Sequence, residues 1–134
     1  MLTRWAITER LRLGNYMSTI ATLAVGFVAA LHFYILVLEM FLWDKPRGLK
    51  AFNLTPERAA MTKSLAANQG LYNGFLAAGL SYGLVLGSSG TAFKVFFLSC
   101  VIVAGMFGGL TVGKKILFIQ AFPALIALAL VLLS

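Results

Sequence analysis

IATLAVGFVAALHFYILVLEMFLW, residues 20–43, is a continuous apolar run broken by two ionisable side chains, His32 and Glu39. About 20 mostly apolar residues suffice to cross a hydrocarbon core of ~30 Å, so the run predicts a spanning helix. Seven residues is close to two helical turns, which sets His32 and Glu39 on one face, roughly 10 Å apart along the axis. Ionisable groups inside a membrane helix are costly, about 3 kcal/mol or more, and face a protein interior or a watery cavity. That face is the first candidate site. Trp43 closes the run where an interfacial aromatic is expected, and Glu39 lies within a turn of it, leaving His32 as the deeper member.

The whole chain has the same character. Of its 134 residues, 60% are hydrophobic and only 11% charged, a balance far from that of soluble domains. Further apolar runs occupy about Leu65 to Leu86, Ala92 to Val112 and Ile116 to Leu133. They are continuous rather than alternating, so helices are expected rather than barrel strands. The predicted fold is all-α, an integral membrane four-helix bundle. Residues 1–16 form an N-terminal tail, or an extension if translation begins at Met17, and residues 17–134 form a single four-helix transmembrane domain. The first run is too long for a cleaved signal peptide and lacks a small-residue cleavage site. The single cysteine, Cys100, has no partner for an internal disulfide.

The connections carry topology. Lys45, Arg47, Lys50, Arg58 and Lys63 lie in the one substantial loop, Asp44 to Ser64, and Lys114 and Lys115 in the third connection. The other side has Arg4, Arg10, Arg12 and Lys94. The positive-inside rule therefore puts the large loop in the cytoplasm and both termini in the periplasm, for a multi-pass protein of the bacterial cytoplasmic (inner) membrane. The net charge of +7 is spread over both sides next to apolar spans. Anionic lipid headgroups are its natural counterpart, and no nucleic-acid partner is expected.

Within the loop, Pro46-Arg47-Gly48 is a turn signal, and Thr55-Pro56-Glu57 reads as a helix start with Thr55 as N-cap and Pro56 at the first helical position. The second span opens with the densest polar cluster in the chain, Asn68, Gln69, Tyr72 and Asn73, over an arc of roughly 140°. Gly70, Gly74, Ala77 and Ser81 form a small-residue seam on the other side. Gly105, Gly109 and Gly113 repeat the device in the third span. These glycine-rich faces suit contacts in a homo-oligomer or a larger membrane complex. A kink is expected near Pro123, with Gln120 bonding a freed carbonyl or facing the interior.

Two blocks carry a resemblance: Leu38-Glu39-Met40-Phe41-Leu42-Trp43 with Pro46-Arg47-Gly48 and Lys50-Ala51-Phe52, and the stretch from Leu65 to Gly79 around Asn68-Gln69-Gly70-Leu71-Tyr72-Asn73-Gly74. Together they resemble the bacterial small integral-membrane family called domain of unknown function thirteen-oh-four. The likeness runs from about Ala24 to the C-terminus. It implies a four-helix membrane protein and no established activity, and the residues before Met17 depart from the usual family start.

Two classes of function fit these residues. In the first, His32 and Glu39 on helix 1, with Asn68, Gln69, Tyr72, Asn73 and Trp43, line a polar intramembrane pocket for a membrane lipid or other apolar small molecule. Glu39 and His32 would then be the catalytic pair of a proton-transfer isomerisation, with the amides and Tyr72 orienting the ligand. The plainer alternative is that these groups satisfy one another and fix the packing. In the second class the chain is an accessory or assembly subunit of a larger membrane complex, or a small proton-coupled transporter. One histidine and one buried acid are too few for a metal site, so no metal and no cofactor are expected.

Overall fold

A computed structural model describes residues 4–134, and every regular element among them is helical. Helix α1 spans Arg4–Phe41, α2 Pro46–Phe52 and α3 Pro56–Val85; a 3₁₀ turn, Gly87–Gly90, leads into α4, Thr91–Thr111. A short α5, Lys114–Ile116, continues through a π-helical turn, Leu117–Ala121, into α6, Phe122–Leu133. Helix α1 is 38 residues long, so the part of the expected tail from residue 4 to 16 is helical and continuous with the first span. Residues 1–3 of that tail lie outside the described residues. No proline interrupts this stretch, and the Thr8 and Thr19 hydroxyls donate to the carbonyls of Arg4 and Asn15 one turn back.

Among the described residues, three helices are long and apolar enough to cross a membrane: Arg4–Phe41, Gly87–Thr111 and Lys114–Leu133. Helix α3, expected as the second of four spans, is 30 residues long but does not belong to this apolar set. Its first three turns carry Glu57, Arg58 and Lys63, and Asn68, Gln69 and Asn73 dilute the run that follows.

The chain divides into two compact units, residues 29–78 and the remainder. In the first, the end of α1 runs antiparallel to the start of α3. The stripe Ala29, His32, Ile35, Leu38 and Glu39 on α1 is buried, as is Ala59, Ala66, Gly70, Asn73 and Ala77 on α3. The α1 stripe advances by threes, with Glu39 four residues from Ile35, and the α3 stripe by four, three and four after Ala66, the spacing of one helix face packed along another. The α3 stripe is small so that the α1 backbone can come close. A Cβ on Gly70 would stand 2.7 Å from Met40 Cγ and 3.0 Å from Glu39 Cβ, and one on Gly74 would meet Leu36 Cδ1 at 2.5 Å.

The connection is more ordered than a turn. Pro46 starts α2 instead of closing a tight bend, because its fixed φ suits the first helical position and its missing N–H is not needed there. Asn53 ends α2 in the left-handed conformation, φ 52°, ψ 52°. The Thr55 cap forms as expected: Arg58 N–H donates to Thr55 Oγ1 at 3.3 Å, and α3 begins at Pro56.

In the other unit, Gly87 reverses the chain with φ 61°, and the Lys94 ammonium reaches back to the Gly87 carbonyl at 2.9 Å. The α4 glycines face the returning chain: a Cβ on Gly105 would lie 2.7 Å from Ala121 N, and those on Gly108 and Gly109 would meet Ile116 and Leu117. Gly105, Gly108 and Gly109 are thus filled by the chain's own returning segment, whereas nothing lies within 4 Å of a Cβ on Gly113. Near Pro123 the kink takes the form of the π-helical turn Leu117–Ala121. Proline offers no N–H to the carbonyl four residues earlier and its ring crowds it, and one wider turn relieves both.

Candidate functional site

The site lies within residues 29–78, between α1 and α3. His32 is fully buried and Glu39 is 8% exposed, so the expected shared face is present and turned inward. Of the four polar residues at the head of the second span, one joins it. The Asn73 carboxamide donates through Nδ2 to Glu39 Oε2 at 2.8 Å and to the Gln69 carbonyl at 3.2 Å. The second bond anchors the amide to its own helix and aims it across at the acid. Since Glu39 faces Gly70, and Leu36 faces Gly74, His32 falls one turn further along, level with Ala77.

Asn68, Gln69 and Tyr72 do not converge on this acid. All three are exposed, and Tyr72 meets its own helical neighbour Phe75, with ring centroids 6.1 Å apart. At 100° per residue Asn73 lies only about 60° from Gly70, inside the small-residue seam, whereas the other three point away from it. The seam was the signal that could have separated them, because any polar side chain within it must face the partner helix.

Trp43, expected as a ligand contact, is a fastener of the connection. Its Nε1–H donates to Thr62 Oγ1 at 3.1 Å, Thr62 donates on to the Arg58 carbonyl at 2.8 Å, and the indole lies 4.7 Å from the Phe52 ring. Beside it Lys63 Nζ reaches Asp44 Oδ2 at 2.8 Å. Sequence reasoning missed Thr62 and this ion pair; the 19-residue separation leaves no local pattern.

The Lys63 hydrogen bond holds the Asp44 carboxyl below its ordinary range. A lowered folded value means that this contact supports the fold above the ordinary carboxylate pKa of about 3.9 and is lost as pH falls through the folded value. The only other tryptophan is Trp5, so Trp5→Phe leaves Trp43 as sole reporter. Its emission is expected to hold steady down to about pH 4 and to change below it; Asp44→Asn should abolish that change. At the helix start, Glu57 is likewise lowered, first by a hydrogen bond to its own backbone and then by the Thr55 side chain.

Two grooves are lined by residues of the other unit. One, of about 550 Å³, is lined by Thr8, Leu11, Arg12, Asn15, Tyr16 and Thr19. The other, of about 480 Å³, is apolar and lined among others by Phe27, Phe122 and Pro123. Neither is lined by His32 or Glu39. No group of three or more metal-ligating side chains occurs among the described residues.

The family described as Protein of unknown function (DUF1304) matches residues 26–132. An uncharacterized protein, YpaA, of Lactococcus lactis subsp. lactis (strain IL1403) is 33% identical over 113 residues, covering 82% of this chain and 95% of the relative. No solved structure matches. The match takes in α1 from Gly26 onward, the acid with its amide partner, and all the later helices, so the chain belongs to the DUF1304 family.

Proposed function

We propose that this chain is a multi-pass protein of the bacterial cytoplasmic membrane that uses the Glu39–Asn73 pair, with His32 beyond it, to hold the polar end of a lipid or other apolar small molecule. The observation that carries the proposal is the hydrogen bond between a buried carboxylate and a neutral carboxamide, at 2.8 Å. A structural ion pair would neutralise the acid permanently; an amide leaves it able to exchange a proton or a ligand donor. In this reading α3 makes the fourth crossing. Its 30 residues span roughly 45 Å at 1.5 Å per residue, enough for the hydrocarbon and for a projection that carries the α2 connection into the cytoplasm. The basic residues of that connection favour this orientation, with both termini periplasmic.

The test is native mass spectrometry of the protein released from its own membrane in mild detergent. The wild type is expected to retain a small apolar molecule of defined mass, and Glu39→Leu to lose it while keeping its helical content. A wild type without such a molecule, or one whose occupancy ignores Glu39, would overturn the proposal.

A specific observation favours a second reading, that of an accessory subunit whose polar layer only fixes α1 against α3. Leu36 and Met40 fill the space beside Gly70 and Gly74, and both described grooves lie elsewhere. Recovery of the chain in a stable complex with other proteins, with no small molecule at Glu39, would select it.

A further inference from the structure

Helix α3 has a second stripe, on its outer face, with the same three-and-four spacing as the inner one: Met61, Leu65, Asn68, Tyr72 and Phe75. The inner stripe is filled by α1. The outer one is uncovered, with Met61 84%, Leu65 70% and Phe75 56% exposed. Steps of four, three, four and three residues are the heptad pattern of a two-helix seam, with Leu65 and Tyr72 at a and Met61, Asn68 and Phe75 at d.

The level of the stripe makes lipid an inadequate cover. Thr62 and Lys63 bond to Trp43 and Asp44, so Met61 and Leu65 stand beside the connection, past the end of α1 at Phe41. Two large apolar side chains are therefore bare beside a polar connection. Asn68 and Gln69, by contrast, come level with the last apolar turn of α1, where amide groups need hydrogen-bond partners.

We infer that a second copy of this chain covers the stripe, with the two α3 helices parallel about a twofold axis normal to the membrane and the Asn68 side chains paired across it. A carboxamide carries both donor and acceptor, so two related by a twofold axis satisfy each other without any third group. In a parallel seam the position flanking Asn68, occupied by Gln69, faces the position occupied by Ser64 on the other copy, which offers a hydroxyl. The twofold thus gives partners to the outward amides, and buries Met61, Leu65, Tyr72 and Phe75 against their own mates.

The test is disulfide trapping in native membranes, in a Cys100→Ser background. Leu65→Cys and Phe75→Cys should each give a crosslinked species of twice the chain mass, whereas Ala60→Cys, exposed on another face of α3, should not. Independently, native mass spectrometry of the wild type should show two copies, and Asn68→Lys should shift the population to single chains while Ala60→Lys leaves it paired. A monomeric wild type, equal trapping at residues 60 and 65, or one copy of this chain bound to a different protein through α3 would each overturn the inference. These readouts are independent of Glu39 and of any small molecule bound there.

Discussion

Replacing Gly48 with alanine is expected to cost about 3 kcal/mol, the upper end for overpacking a fixed site. Gly48 is buried in α2 beneath the end of α1. A Cβ there would collide with the Leu42 carbonyl oxygen, and would lie 2.7 Å from Leu42 C and 2.8 Å from Trp43 O. All three atoms are backbone, so no side chain can swing aside to make room. Nor can the backbone retreat freely. Leu42 N–H is tied to the Leu38 carbonyl, the Leu42 carbonyl accepts from Lys45 N–H, and Trp43 is tied to Thr62. Thermal unfolding in detergent, read by Trp43 emission in a Trp5→Phe background, should show the loss, together with faster proteolysis between residues 44 and 55. Gly14→Ala supplies the control: nothing lies within 4 Å of its would-be Cβ, and a helix interior gains roughly 0.5–1 kcal/mol when alanine replaces glycine.

The comparison of Gly48 with Gly14 shows what a sequence can and cannot carry. Each is one glycine in one helix, and nothing local distinguishes them; the difference is a backbone brought alongside by the fold. Apolar continuity, in contrast, is a local property, and it located the α1 span, α4 and the final helix. The Thr55 cap was legible for the same reason, since its chemistry is complete within four residues. Pro46-Arg47-Gly48 reads as a turn because proline and glycine punctuate both turns and helix starts, and only the Asn53 terminus, two turns later, decides between them. The candidate site was half legible. Helical periodicity placed His32 and Glu39 on one buried face, but could not say which amide would meet the acid. Choosing Asn73 over Asn68 required knowing which face of α3 turns toward α1, and the small residues flanking Asn73 are the physical reason that it does.

Asn73→Leu is expected to destabilise the α1–α3 pair by about 2 kcal/mol when Glu39 is ionised, and by about 0.6 kcal/mol when it is not. The two figures have different causes. Interhelical hydrogen bonds between neutral groups in membranes average near the smaller value, because helices separated in lipid still find other partners. A carboxylate stripped of its donor has no such recourse in an apolar seam, and the full cost of the unsatisfied charge appears. A double-mutant cycle of Asn73→Leu with Glu39→Leu isolates the shared term. The double variant should recover most of the single Asn73→Leu loss, since two leucines of similar volume leave nothing unpaired. In the wild type the coupling should exceed that of a Glu39→Gln protein, because only a charged acceptor makes a charge-assisted bond. Glu39→Gln keeps an acceptor opposite Asn73 but cannot ionise, so its coupling should stay near the smaller value. A wild-type coupling no larger than that of Glu39→Gln would mean that the acid does not ionise in place. The pair would then be a packing element, and the proposed exchange of a proton or ligand donor at Glu39 would have no chemical basis.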